Sequence, residues 1–222
     1  MKQSINLTRT RKLVILAMMA ALAYIVMAVC RIPVVLFLKY EPKDIIIAFA
    51  GLIYGPLSSL AVSLVVSFAE MITVSDTGII GMVMNVISTC AFTCTAAYIY
   101  KKQQTLRGAV IGLVTGMLFS AAAMLLWNYI MVPLYTPSMS REAVAGMLLP
   151  AFLPFNLLKG GINVALTLLL YKPLVRALRA VHMLPEKQEA KPASKGVVGV
   201  MLAAVAVLLA CVLIILVLQG VL

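Results

Sequence analysis

Residues 44–64, DIIIAFAGLIYGPLSSLAVSL, have the hydropathy of one long membrane helix, but Gly55 and Pro56 divide the stretch. A residue that precedes proline is disfavoured in the helical region, whereas proline itself suits the first turn of a helix. We therefore predict a short helix over about 44–54, a turn, and a second helix over about 56–72. At about 1.5 Å per residue, the short helix reaches about 16 Å and crosses half of a bilayer.

The composition places the whole chain in a membrane. Of its 222 residues, 64% are hydrophobic and 11% are charged, whereas a typical soluble domain is about 45–50% apolar and about 25% charged. No polar segment is long enough to fold as a separate soluble domain. The net charge of +11 would suggest nucleic acid in a soluble protein. Here the charges lie between apolar runs and indicate topology instead, so we expect no nucleic-acid partner.

The apolar runs predict an all-α integral membrane protein in which a six-helix bundle is followed by one additional transmembrane helix. A basic N-terminus (1–12) precedes the six-helix membrane domain (13–178), and a basic polar linker (179–196) precedes the additional helix (197–218). The predicted helices of the bundle cover about 13–30, 44–54, 56–72, 79–100, 107–132 and 147–171. We expect the fifth helix to stop at Pro133 and a polar loop to follow at 134–143.

Lysine and arginine set the predicted orientation. If the N-terminus is inside, 13 of the 18 basic residues lie in inner segments, four lie in outer loops, and one lies within a span. This asymmetry predicts a multi-pass cell-membrane protein whose N-terminus is cytoplasmic. The additional helix would then end outside.

Polar residues within the predicted spans gather at one depth. Asn85 lies early in the fourth helix, Asn128 lies late in the fifth, and Asn156 and Lys159 lie in the first half of the sixth. Amides both donate and accept hydrogen bonds, and a lysine at the centre of a span costs about 2.5–3.5 kcal/mol. We therefore predict a binding pocket for a small polar-aromatic molecule in the outer half of the membrane.

Three further residues are candidates for this pocket. Tyr40 and Tyr135 lie beside the outer loops that would roof it, and Gly160 would permit either close helix packing or close approach of a ligand.

Structural roles are the alternative for the polar residues. Asn85 and Asn163 would also serve as hydrogen-bonding contacts between helices. Lys159 would instead form a structural ion pair with Asp44 or Glu70.

The first helix carries a stripe of small residues that includes Ala17 and Ala21. Small residues four apart let another helix approach closely, although the pattern leaves open whether that helix belongs to this chain or to a partner.

Motifs of enzymes and nucleotide-binding proteins are missing. The sequence contains no P-loop, no G-x-S-x-G and no H-E-x-x-H, so we expect no catalytic residues and no enzymatic activity. The four cysteines lie within or beside apolar runs without metal-ligand spacing, so we expect no metal site.

Five stretches in this order resemble the riboflavin-binding S component of energy-coupling-factor (ECF) vitamin transporters. They are FLKYEPKD (37–44), the divided stretch 44–64, TGIIGMVMN (77–85), WNYIMVPLY (127–135) and FNLLKGGIN (155–163). The resemblance covers about residues 10–180. The additional helix at 197–218 and the stretch around Glu70 depart from the family pattern.

The resemblance implies a ligand site open to the outside, with Asn128, Asn156 and Lys159 in contact with riboflavin or its phosphate FMN and the loop around Tyr40 closing over it. It also implies that the alanine stripe docks on a transmembrane coupling subunit powered by two ATPase subunits. Riboflavin would be a transported ligand, and no cofactor is expected. An S component for another vitamin or small molecule, or a non-transporting membrane scaffold, are the alternatives.

Overall fold

The computed structural model describes residues 2–35, 38–75, 77–136, 139–180 and 195–218. It consists of helices and one short antiparallel hairpin. In chain order the elements are α1 (Lys2–Val29), β1 (Ile32–Val35), β2 (Leu38–Tyr40), α2 (Lys43–Tyr54), α3 (Pro56–Thr73), α4 (Gly78–Gln103), α5 (Leu106–Tyr135), α6 (Arg141–Met147), a π-helical segment (Leu148–Phe152), α7 (Leu153–Ala180) and α8 (Lys195–Leu218).

Six helical stretches in the described part of the chain are long and apolar enough to cross a membrane. They are Arg9–Val29 of α1, α3, α4, Leu106–Leu134 of α5, Arg141–Tyr171 through α6 and α7, and Val198–Val217 of α8. The 12-residue α2 reaches only about 18 Å and is packed against α1, α3, α4 and α7. The predicted all-α membrane protein with a short second helix and an additional last helix is confirmed.

The break between α2 and α3 lies at Gly55 and Pro56, as predicted. Gly55 has a φ of +94°, a conformation that favours glycine, and Pro56 is the first residue of α3. The two helices then approach closely, because a Cβ atom on Gly51 would lie 2.0 Å from Ser59 Oγ. The Ser59 hydroxyl donates to the carbonyl of Ile47 at 3.2 Å. The turn therefore folds α2 back into the bundle.

Two glycines of α5 hold it against α4. A Cβ atom on Gly112 would lie 2.7 Å from the carbonyl oxygen of Ala96, and one on Gly116 would lie 2.3 Å from that of Phe92. This is the close backbone approach that small residues four apart permit between membrane helices.

Helix α8 packs on the outer face of α7 and on the hairpin. Its Cys211 and Ile215 share an apolar cluster with Val34 of β1 and with α7 residues that include Phe155 and Leu158. A Cβ atom on Gly161 of α7 would lie 3.3 Å from Cys211 Sγ. The additional helix therefore contacts the elements that surround the cavity described below.

Several predicted boundaries are wrong. Pro133 lies inside α5, which continues to Tyr135, because a proline removes a single helical hydrogen bond and the helix ends soon afterwards. The predicted loop at 134–143 is partly helical: Ser140 Oγ accepts from the backbone N–H of Ala143 and caps α6. Helix α7 continues beyond 171 to Ala180.

The hairpin lies between the first two predicted helices, where the sequence predicted no helix or strand. Its strands pair Ile32 with Tyr40 and Pro33 with Lys39. The predicted linker at 179–196 falls mostly on residues 181–194, which lie outside the described residues.

Candidate ligand-binding site

A cavity of about 540 Å³ lies at the end of the bundle opposite the N-terminus. The hairpin, the end of α3, the start of α4, the late part of α5 and the early part of α7 form its wall. Its apolar lining includes Leu38, Ile80, Met84, Met124 and Phe155. Small-molecule sites in proteins measure about 300–1,000 Å³ and combine apolar walls with a few placed polar groups, so this cavity has the dimensions of such a site.

Four of the sequence-predicted residues line this one cavity: Asn85, Asn128, Asn156 and Lys159. Among the described residues, the side-chain amides of Asn85 and Asn128 have no hydrogen-bond partner, although Asn128 is only 4% exposed. The Asn156 amide donates from Nδ2 to the carbonyl of Phe152 at 2.8 Å, which leaves Oδ1 as an acceptor. Because buried polar groups are normally hydrogen-bonded, these amides provide free donors and acceptors for a ligand.

Lys159 forms an ion pair with Asp44. Its Nζ lies 3.1 Å from Asp44 Oδ2. Of the two alternative partners that the sequence suggested, Asp44 and Glu70, the ion pair is therefore formed with Asp44. The buried Asp44 carboxylate also accepts from Thr89 Oγ1 at 2.6 Å and from Asn163 Nδ2 at 3.4 Å. An ammonium carries three donors, so Lys159 can contact a ligand in the cavity while it remains paired with Asp44.

Tyr40 lies in the core beside the cavity. Its hydroxyl donates to Asn163 Oδ1 at 3.0 Å, and its ring packs with Cys211 and Ile215 of α8. Burial, and next the Asp44 carboxylate, raise the pKa of the Tyr40 phenol above its ordinary value, so the phenol remains a donor. Tyr40 is thus the first member of a series of polar contacts that continues through Asn163 and Asp44 to Lys159.

The other two candidates are Gly160 and Tyr135. Gly160 borders a small pocket beside the main cavity, together with Asn156 and Lys159. A Cβ atom there would lie 2.3 Å from Met117 Cγ, so Gly160 allows α7 to pack closely against α5. The side chain of Tyr135 lies outside the described part of the structure.

A group of four charged residues, here called the mouth cluster, consists of Arg31, Glu41, Lys43 and Glu70. Arg31 contacts Glu41 Oε1 from Nε and Glu70 Oε1 from Nη2, both at 3.0 Å. Lys43 lies 2.7 Å from Glu41 Oε2 and also pairs with Glu70. Each cation therefore touches both carboxylates. Arg31, Glu41 and Glu70 line the cavity, whereas Lys43 is 1% exposed and lies behind them.

Sequence reasoning did not predict the mouth cluster. Three of its members lie in the short segment 31–43, which the sequence assigned to an outer loop, and the fourth lies near the end of a predicted span. The available signal was Glu70 itself, because a carboxylate within a span is a functional-site hypothesis by default.

On the outer surface of α1, Ala17 and Ala21 are exposed, while Ala20 is buried in the core. The stripe formed by Ala17 and Ala21 therefore faces away from the bundle. Within the described residues it is not covered by another helix of this chain.

The structure is a helical membrane bundle with a polar-lined cavity at one end, and some amides in that cavity are unpaired. This arrangement is typical of the class of membrane proteins that bind a small molecule. A sequence model described as "ECF transporter, substrate-specific component" matches residues 11–171. The chain therefore belongs to a family within that class, the substrate-specific components of ECF transporters. Helix α8 lies beyond the matched residues.

Similar proteins are bacterial transporters. The chain is 28% identical over 189 residues to the riboflavin transporter FmnP of Bacillus subtilis, covering 79% of this chain and 99% of that protein. It is 30% identical over 179 residues to the riboflavin transporter RibU of Streptococcus thermophilus, covering 76% of this chain and 84% of that one. These relatives are transporters and not enzymes, which agrees with the predicted lack of enzymatic activity.

A solved structure of the S component of a bacterial ECF transporter has the same fold. It superposes with a TM-score of 0.64 at 24% identity, and the match covers 77% of this chain and 99% of that one.

Proposed function

We propose that this chain captures riboflavin from outside the cell and delivers it inward as the substrate-specific component of an ECF transporter. The observation that carries the proposal is the convergence of Asn85, Asn128, Asn156 and Lys159 on one cavity with apolar walls. Riboflavin has a flat aromatic ring system edged with carbonyl and nitrogen groups, which matches apolar walls and free amides. The names of the relatives, riboflavin transporters, support the same ligand.

The proposal includes partner subunits. The chain has no P-loop, so the energy for transport would come from two ATPase subunits through a transmembrane coupling subunit. The exposed Ala17 and Ala21 suit close docking of a partner helix. The charge asymmetry of the sequence favours a cytoplasmic N-terminus, which would open the cavity toward the outside.

Flavin binding by the purified protein tests the proposal. Titration into riboflavin should quench the flavin fluorescence with a dissociation constant below the micromolar range. Riboflavin at 100 times this constant should stabilise the fold by about 2.7 kcal/mol, measured by thermal unfolding. Biotin and thiamine serve as controls and should do neither. Stabilisation by another vitamin alone would identify a different substrate, whereas no stabilisation by any of them would favour a scaffold.

A further inference from the structure

The hairpin that forms one wall of the cavity is too short to hold its position alone. Its strands have four and three residues, and their register is irregular between Pro33 and Val35. Proline also has no N–H to donate to a partner strand. An isolated two-stranded hairpin is marginally stable at best, so the position of this wall depends on what the hairpin packs against.

Two attachments hold the hairpin to the helices. The first is the mouth cluster, in which Arg31 joins the start of the hairpin to Glu70 of α3. The second is apolar: the buried Val34 of β1 packs in one cluster with Cys211 and Ile215 of α8. The family match ends at residue 171, so the second attachment includes contacts that only the additional helix provides.

Helix α8 is seated closely on α7 where it meets the hairpin. A Cβ atom on Gly161 would lie 3.3 Å from Cys211 Sγ and 3.8 Å from Val207 Cγ1, and small residues of this kind let membrane helices approach closely. Gly161 belongs to the same stretch of α7 as Asn156 and Lys159, which line the cavity. Helix α8 therefore packs both on the helix that carries polar groups of the site and on the hairpin.

Two residues of β2 connect this packing with the cavity. Leu38 lines the cavity and also packs against the cluster that contains Cys211 and Ile215. Tyr40 is a member of that cluster, and its hydroxyl donates to Asn163 at 3.0 Å. A shift of the hairpin away from α8 would therefore displace an apolar residue of the cavity wall and break the hydrogen bond of Tyr40.

We propose that Cys211 and Ile215 of α8 are positioning residues for ligand binding, which act by holding the hairpin in place as a wall of the cavity. This inference rests on the proposed function and deepens it, since α8 would contribute to riboflavin capture without touching riboflavin. Neither residue lines the cavity. The apparent affinity of a protein falls with the fraction of molecules in the binding-competent state, so a poorly held hairpin weakens binding.

Three substitutions of isoleucine by alanine in the full-length protein test the inference. Ile215→Ala removes packing from the cluster that α8 shares with the hairpin. Ile214→Ala changes the neighbouring side chain, which is 49% exposed on the outer surface of α8. Ile15→Ala removes a buried side chain from a separate cluster formed mainly by α1, α2 and α3. The three variants lose the same atoms and differ in what those atoms contact.

Two measurements separate positioning of the hairpin from general stability. Ile215→Ala should weaken riboflavin binding about tenfold in a fluorescence titration, as expected if the hairpin keeps its position in about a tenth of the molecules. Hydrogen exchange at the backbone amides of the hairpin should become faster in the ligand-free variant. Ile15→Ala should lower the unfolding temperature but leave riboflavin affinity and hairpin exchange at the wild-type level, and Ile214→Ala should change none of the three.

Two milder variants keep the test decisive if Ile215→Ala does not fold. Ile215→Val removes a single methyl group, and its affinity should lie between those of the wild-type protein and Ile215→Ala. Cys211→Ala removes the thiol that lies over Gly161 and should change affinity and hairpin exchange in the same direction as Ile215→Ala.

Each outcome decides the inference. Loss of affinity with faster hairpin exchange, confined to the variants at Cys211 and Ile215, supports it. Wild-type affinity or wild-type hairpin exchange in these variants overturns it, and so does an equal loss of affinity in Ile15→Ala, because the effect would then be one of general stability. If the wild-type protein binds no flavin, the proposed function fails, whereas the exchange comparison still decides whether α8 holds the hairpin.

Discussion

Lys159 has an ion-pair partner inside the bundle because the short helix α2 brings Asp44 to within 3.1 Å of its ammonium. The sequence predicted two roles for this residue, ligand contact and structural pairing, and the structure places it where both are compatible. A single substitution of Lys159 would not separate ligand contact from structural pairing, because it would remove both. Removing one partner of a buried ion pair leaves an uncompensated charge, which costs about 3–5 kcal/mol in stability.

A double substitution separates the two roles. Lys159→Met should destabilise the ligand-free protein and weaken riboflavin binding. Asp44→Asn added to it removes the uncompensated carboxylate, so thermal stability without ligand should recover. Riboflavin affinity should nevertheless stay weaker by about 1.5–3 kcal/mol, the range for a hydrogen bond to a charged group. Fluorescence titration and thermal unfolding measure the two effects independently. Wild-type affinity in the double variant would mean that Lys159 is structural only.

Among the elements, the break between α2 and α3 was predictable, whereas the hairpin, the end of α5 and the mouth cluster were not. The break at Gly55 and Pro56 agrees with the sequence because the constraints of glycine and proline act within a few residues. The mouth cluster was missed because it depends on contacts such as that between Arg31 and Glu70, which are 39 residues apart. The hairpin at 32–40 pairs near neighbours such as Pro33 and Lys39, and it was missed because Pro33 argues against a strand except at a sheet edge. The end of α5 was misplaced because proline near a helix terminus costs little.

Helix α8 is the element that the family match does not cover, and its length leads to a topological prediction. Its 24 residues extend about 36 Å, enough to cross the hydrocarbon core of about 30 Å. With a cytoplasmic N-terminus, its two ends should lie on opposite sides of the membrane. A reporter active only outside the cytoplasm should be inactive when fused after Lys187 and active when fused after Leu222.

A cytoplasmic reporter at the same two positions is the control and should give the reverse pattern. Activity of the external reporter at Lys187 would mean that the N-terminus faces outward. Inactivity at both positions would mean that α8 packs against the bundle without crossing the membrane.

At the scale of the whole molecule, the convergence of the polar residues was predictable because topology alone set their depth. Asn85, Asn128 and Asn156 belong to three helices, yet counting residues from the helix ends placed them together, and they line one cavity. Their hydrogen-bond partners were not predictable, since they depend on helix rotation and packing. Tyr40 shows this limit: the sequence predicted it among the residues around the pocket, but its hydroxyl donates to Asn163 and its side chain is not part of the lining of the main cavity.

If uptake needs a partner subunit, as proposed, the outer face of α1 should matter for transport and not for ligand capture. Ala17 and Ala21 are exposed and lie on one side of α1, far from the residues that line the cavity. Ala17→Trp and Ala21→Trp should prevent close docking of a partner helix, since small residues allow helices to approach. Riboflavin uptake by cells that contain the partner subunits should therefore fall, while flavin binding by the purified variants should remain at the wild-type level. Leu22→Trp, at another exposed position of the same helix, is the matched control and should leave uptake and flavin binding unchanged. Equal loss of uptake in all three variants would instead indicate a general defect in membrane insertion.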